Sequence, residues 1–270
     1  MKITFLGGGN MANALIGGLL NTGFPAQEIS VIEIGAEGRL RLEKTYGVRC
    51  FAEPSSEALN CDVLLLAVKP QQMREACASL QSHLQQQLVI SIAAGLRLAD
   101  LSRWLGGHDK LVRAMPNTPA LIGAGITGLY ALPSVSEAER LGAERILQAV
   151  GNTLWVADEK QIDAVTAISG SGPAYAFLFI EALEQAASEL GFSPKQARQL
   201  AIETTLGAAR LAAQSDDEAS VLRERVTSKG GTTEAALRIM NEHGVKDGIV
   251  AGALAAYARS GELGELLGQD

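Results

Sequence analysis

Gly7-Gly8-Gly9-Asn10-Met11-Ala12 has the residue types and spacing of a turn that captures a pyrophosphate. It reads G-x-G-x-x-A, after an apolar stretch (Lys2–Leu6) and before a helical pattern (Met11–Asn21). Gly7 there permits the tight turn, Gly9 lets a phosphate approach the backbone, and Ala12 allows close helix–strand contact. Asn10 and Met11 open the helix, whose unpaired N–H groups and positive dipole end favour an anion. Glu33 ends the next apolar run, 21 residues after Ala12. A carboxylate at that place bonds an adenosine ribose and repels a 2′-phosphate, so it leans towards NADH over NADPH. Arg39 is the nearest base that could favour the phosphate, and a plain solvated strand end also fits Glu33.

Two further turns end apolar runs. Ala67-Val68-Lys69-Pro70 follows VLLL and is placed to touch a coenzyme, since ligands of open α/β sheets sit outside carboxyl strand ends. Pro70 also suits a helix start. Met115-Pro116-Asn117-Thr118-Pro119 presents Asn117 between two prolines. Positioning of a nicotinamide and a plain rigid turn fit it equally.

Val226-Thr227-Ser228-Lys229-Gly230-Gly231-Thr232-Thr233 lies between helical windows. Consecutive N–H groups, two glycines, four hydroxyls and a lysine suit a carboxylate nest. A capped helix start needs fewer hydroxyls and no paired glycines. Ser169-Gly170-Ser171-Gly172-Pro173-Ala174-Tyr175 reads as a structural turn whose small residues let helices cross closely.

The elements that must position these groups change character along the chain. Up to about 156, strand patterns (Lys2–Leu6, Ile29–Ile34, Val63–Ala67, Leu88–Ile92, Lys110–Met115, Gly125–Ala131, Thr153–Val156) alternate with helical ones (Met11–Asn21, Gly38–Tyr46, Gln71–Leu84, Ser136–Val150). This predicts a Rossmann-type domain over 1–156 with a parallel, doubly wound sheet. Over 157–270 strand signals vanish and helical windows take over: Pro173–Leu190, Pro194–Ala213, Glu218–Val226, Thr233–Asn241 and Val245–Arg259. The segment PAYAFLFIEAL is apolar nearly all round. So small a domain has little interior to bury it, so a second subunit is expected to cover it.

Composition narrows the classes. With 47% hydrophobic and 20% charged residues the chain is ordinary globular material. A net charge of −7 lacks the basic footprint of a nucleic-acid binder and the polybasic patch of a membrane-surface protein. Cys50, Cys61 and Cys77 have no CxxC spacing, which suits a reducing cytoplasm and gives no metal site. The uncharged stretches Ala114–Ser136 and Ala164–Ile180 are broken by Pro and Gly, and the start lacks a signal-peptide pattern.

GGGNMA, AVKPQ, MPNTP, SGSGPAY and VTSKGGTT, in this order, resemble pyrroline-5-carboxylate reductase over essentially the whole chain. The resemblance implies reduction of 1-pyrroline-5-carboxylate to L-proline, with hydride passing from NADPH or NADH to the ring imine carbon in the last step of proline biosynthesis. It implies an all-helical substrate and dimerisation domain, a homodimer that completes its active sites across subunits, and often larger rings of dimers. Mapped onto this chain, a loop with Val226, Ser228, Gly230, Gly231, Thr232 and Thr233 holds the ring carboxylate, and Thr233 meets the imine nitrogen. Two positions depart from the family. Lys229 stands where proline is usual, and Glu33-Ile34 stands where NADPH-preferring members carry small polar or basic residues. A β-hydroxyacid dehydrogenase of the same plan would need a general base, usually a lysine on the first interdomain helix, and Pro173–Leu190 has none. A non-catalytic dinucleotide-binding subunit would have no use for the hydroxyl loop.

Overall fold

The computed structural model describes residues 1–269 and falls into two compact units. The first is Met1–Ser171 together with the stretch that begins at Ala256, and the second is Gly172–Ala255. The division therefore differs from the change of sequence pattern at 157. Residues 157–171 continue the first unit, and the chain returns to it at Ala256.

In the first unit, β1 (Ile3–Leu6), α1 (Asn10–Asn21), β2 (Ile29–Ile32), α2 (Ala36–Tyr46), β3 (Arg49–Phe51) and β4 (Val63–Leu66) follow in order. Then come α3 (Met73–Leu80), β5 (Leu88–Ser91), α4 (Leu98–Trp104), β6 (Leu111–Met115), β7 (Gly125–Ala131), α5 (Glu137–Gln148), β8 (Gly151–Trp155) and α6 (Lys160–Val165). All eight strands form one sheet in the order β3-β2-β1-β4-β5-β6-β7-β8. Every neighbouring pair is parallel except β6 and β7, which run antiparallel. The expected parallel, doubly wound sheet runs from β3 to β6, and the direction reverses at β7. A nine-residue connection joins these two strands, whereas a parallel return needs a crossover of a dozen or more residues.

The central strands β1, β2, β4 and β5 are buried at every position. Alternate side chains feed two separate cores. Phe5 and Leu65 join Leu15 and Ile16 of α1 and Ile146 of α5 on one face. Leu64 and Leu66 join Met73 and Cys77 of α3 and Leu101 of α4 on the other. Helices on both faces explain why these strands read as continuous apolar runs. Local signals set the helix ends. Ser136 and Glu139 form a reciprocal capping box at α5, and Gly47 closes α2 in the left-handed conformation.

The second unit holds α7 (Gly172–Glu189), α8 (Pro194–Ala213), α9 (Ala219–Arg225), α10 (Thr232–Glu242) and the first part of α11 (Val245–Leu267). Ser193 and Gln196 box the start of α8. Within the single chain no residue of α7 is buried, and Phe177 and Leu178 stand 64% and 67% exposed. No helix among the described residues is long and apolar enough to cross a membrane.

Candidate active site

The glycine turn emerges from β1 between the ends of β2 and β4. Gly7 N–H donates to Ile32 O (2.8 Å) and Ala67 N–H to Leu6 O (2.8 Å). Gly7 sits at φ +98°, and a Cβ there would lie 3.0 Å from Ala67 O and 3.0 Å from Val68 Cγ1. Its role is therefore conformational and steric together. The structure thus brings Ala67 and Val68 against the turn. Lys69 precedes a 3-10 turn (Pro70–Gln72) that Pro70 opens. Ala12 is fully buried in the core beneath β1, and Met11 packs beside it. Asn10 is the exposed first residue of α1.

Gly9 differs from its two neighbours. It is the residue before α1, at φ −73°, with no side chain capping the helix. A Cβ on Gly9 would meet nothing within 4 Å. The backbone beside the first N–H groups of α1 is thus bare, as a cradle for a pyrophosphate requires. Gly8 has a need invisible in the motif, for a Cβ there would come within 2.6 Å of Leu42 Cδ1. Asn13, one turn into α1, braces the loop by donating from Nδ2 to Gly8 O and Gly9 O, each at 2.8 Å.

Glu33 lies against this turn. Its Oε2 accepts from Gly8 N–H (2.9 Å) and its Oε1 from Gly35 N–H (2.8 Å). It is therefore no plain solvated strand end, and each oxygen keeps acceptor capacity for a further donor. Arg39 turns towards the strand end, where its Nη1 donates to Glu33 O (2.7 Å) and Ile34 O (2.9 Å).

At the end of β6, Asn117 is buried with both ends of its amide engaged. Nδ2 donates to Ser169 O (3.1 Å), and Oδ1 accepts from Ile126 N–H (3.0 Å). Two residues before Met115, Arg113 is 1% exposed and pairs with Asp163 Oδ1 (2.6 Å) and Glu159 Oε1 (3.4 Å). Asp163 Oδ1 also accepts from Ser260 Oγ (2.9 Å) of α11, and Glu159 Oε1 from Leu98 N–H (2.7 Å). This partly buried charge cluster, closed around Arg113, ties β6 to α6 and the last turns of α11. Sequence pattern alone does not reveal it, because its members lie far apart in the chain.

The hydroxyl loop belongs to the second unit. Val226 caps the end of α9 and is exposed, and Thr227 Oγ1 donates back to Arg223 O (2.6 Å). Gly230 takes φ +73°, and its N–H donates to Glu234 Oε2 (2.6 Å). Gly231 N–H donates to Ser228 O (3.0 Å). The nest is thus narrower than its sequence suggests, since both glycine amides already have partners inside the chain. Thr232 and Thr233 open α10 with no side chain capping the helix. Lys229 is exposed.

Burial pushes Cys77 up to about 12 and Cys50 to about 11, and raises Cys61 as well. None of the three is poised as a thiolate nucleophile at neutral pH. Among the described residues no cluster of three or more His, Cys, Asp or Glu could hold a metal ion.

Comparison with known proteins agrees with this arrangement. Residues 159–263 match the family described as pyrroline-5-carboxylate reductase dimerisation, and residues 2–95 match NADP oxidoreductase, coenzyme F420-dependent. The pyrroline-5-carboxylate reductase of Pseudomonas aeruginosa is 46% identical over 99% of this chain and 98% of its own. That of Vibrio alginolyticus is 43% identical over 98% of each. Among solved structures, a pyrroline-5-carboxylate reductase from Coxiella burnetii superposes with a TM-score of 0.91 at 40% identity, covering 97% of this chain and 98% of that one. The Plasmodium falciparum enzyme with NADP bound gives 0.87 at 29% identity, covering 98% of each. With this similarity along its whole length, the chain belongs to the pyrroline-5-carboxylate reductase family.

Proposed function

We propose that this chain reduces 1-pyrroline-5-carboxylate to L-proline with a reduced nicotinamide coenzyme, and that each unit carries one part of the machinery. The observation that carries the reading is the bare backbone at Gly9, set beside the Ala67–Val68 strand end in a chain that also presents the Thr232–Thr233 hydroxyls at an uncapped helix start. Gly7, Gly9, Asn10, Met11, Ala12, Glu33, Ala67, Val68, Lys69 and Pro70 form the coenzyme side, with the Asn117 turn bordering it. Val226, Ser228, Gly230, Gly231, Thr232 and Thr233 form the substrate loop. The Gly230 and Gly231 amides shape this loop from within. The hydroxyls and the first amides of α10 are left to meet the ring carboxylate.

The chemistry asks little of the protein beyond placement. When bound, the coenzyme supplies a hydride. A protonated C=N is already electrophilic, and hydride addition to it gives the neutral amine with no proton left over. The Thr233 hydroxyl oxygen accepts from the N–H of the protonated imine, and the same hydroxyl can donate to the lone pair that forms on the nitrogen as hydride adds. No general base is needed, which fits a loop of hydroxyls and backbone donors. Growth of a proline auxotroph lacking this reductase, restored without added proline by this chain, tests the activity. Failure of a well-expressed chain to restore growth counts against it.

Glu33 sets the coenzyme preference. Its carboxylate faces the place of the ribose hydroxyls and disfavours an added phosphate, so the wild type is expected to give a higher kcat/KM with NADH. Glu33→Ser also removes the brace on Gly8, so both coenzymes should weaken. The ratio is therefore the readout, and it should move about tenfold towards NADPH, roughly 1.4 kcal/mol. A wild type that already favours NADPH strongly would give Arg39 or backbone donors the greater weight.

The working form is a homodimer built through the helical unit, and further assembly of dimers into a ring is compatible with it. An apolar seam as large as that of α7 is not tolerated on a free monomer. Sedimentation at low micromolar concentration should show no monomer. A stable folded monomer would remove the dimer.

A further inference from the structure

The turn after β6 and the turn after α6 are joined at two separate points. α6 runs directly into a π-turn, Thr166–Gly170, closed by Ser171 N–H donating to Thr166 O (2.8 Å). Such turns are uncommon and gather at functional sites. Asn117 spans from the Met115–Pro119 turn to this π-turn through Ser169 O, and to the start of β7 through Ile126 N–H. Independently, Gly170 is seated against Met115, where a Cβ would lie 2.7 Å from the Met115 Cε. A buried amide keeps its place only while its polar ends are satisfied, and at 9% exposure Asn117 has little water to substitute for them. Directional bonds at both ends therefore lock the two turns into one arrangement.

We propose that Asn117 is a positioning residue for hydride transfer, holding the Met115–Pro119 turn and the Thr166–Gly170 π-turn in fixed register, and that its side chain is not a coenzyme ligand. The inference rests on the reading that the strand-end turns of the sheet border the coenzyme. Hydride transfer depends steeply on the approach of donor and acceptor carbons, and a misplacement of about 1 Å costs up to about a hundredfold in rate. Loosening one turn against the other should therefore appear in kcat and leave binding alone.

Asn117→Asp is the informative variant. It is isosteric, keeps the acceptor for Ile126 N–H, deletes the donor and sets an oxygen against the Ser169 carbonyl. Asn117→Ala removes both bonds. The expected result is a kcat lowered about tenfold in the first and further in the second, with coenzyme Kd and substrate KM within about twofold of wild type. A folded Asn117→Asp with wild-type kcat would reduce the tie to a structural bond and overturn the proposal. A coenzyme Kd raised about tenfold with kcat retained would overturn it differently, making Asn117 a coenzyme ligand. If the alanine variant fails to fold, the aspartate variant decides alone. Gly9→Val in the same series separates failure of the coenzyme placement from failure of the Asn117 assignment. If Gly9→Val binds coenzyme like wild type, the placement of the coenzyme falls and Asn117 loses its proposed role with it. If Gly9→Val loses binding and Asn117→Asp keeps wild-type kcat, only the Asn117 assignment falls.

Discussion

Gly9→Val is expected to weaken coenzyme binding by about ten- to a hundredfold while leaving the fold intact. The three glycines of the turn are not equivalent. Gly7 needs its positive φ and has Ala67 and Val68 at 3.0 Å, and Gly8 has Leu42 closer still, so side chains at either would disturb the fold itself. Gly9 has ordinary dihedrals and open space where a side chain would stand. The Cβ of a valine there meets no protein atom within 4 Å, so its branch faces whatever approaches the backbone. Losing one charge-assisted bond from the helix start to a phosphate costs about 1.5–3 kcal/mol, which is the stated range of affinity. Fluorescence titration with NADH and NADPH, beside a melting curve, is the measurement. Unchanged affinity in a folded variant would take the glycine turn out of the site.

Thr233→Val is expected to lower kcat/KM by about ten- to a hundredfold, the worth of a bond of about 1.5–3 kcal/mol to a charged partner. Because the hydroxyl accepts from the iminium N–H before transfer and can donate to the forming lone pair during it, kcat should fall as well as KM rise. Valine keeps the β-branched shape at the second position of α10 and deletes only the hydroxyl. Thr232→Val is the neighbouring control. Melting temperature and coenzyme affinity must stay near wild type, since a shifted loop would mimic the loss. A folded Thr233→Val with wild-type kcat/KM would make Thr233 a helix-start residue and leave the imine nitrogen to water.

What the sequence revealed, and what it hid, follows from the range of the interactions. β4 and β5 are legible because strands covered on both faces are unbroken apolar runs. β3 escapes the same reading because it has three residues, an exposed Arg49 and an edge position. α6 is too short, at six residues, for a periodic pattern to stand out. The reversal at β7 did leave a trace, since only nine residues separate Met115 from Gly125, too few for a crossover helix.

The site divides along the same line. The glycine turn is a local motif, and Gly7, Gly9 and Ala12 occupy the geometries that its spacing predicts. The brace of Asn13, the steric need at Gly8 and the grip of Glu33 on Gly8 N–H depend on how α1, α2 and β2 meet in space. The Arg113–Asp163–Ser260 cluster joins positions from the middle and end of the chain, and no local pattern announces it. In the hydroxyl loop, residue types pointed to a carboxylate nest. The engagement of the glycine amides by Glu234 and Ser228 is a matter of loop geometry that composition does not carry.

The most direct test is the purified wild-type chain with NADPH or NADH and 1-pyrroline-5-carboxylate, following loss of reduced-coenzyme absorbance together with the proline formed. A panel of 3-hydroxy acids with the oxidised coenzymes is run beside it. The expected result is one proline for each reduced coenzyme consumed, with no turnover of the hydroxy acids. Absence of proline from an enzyme that binds coenzyme, or rapid oxidation of a hydroxy acid, would contradict it.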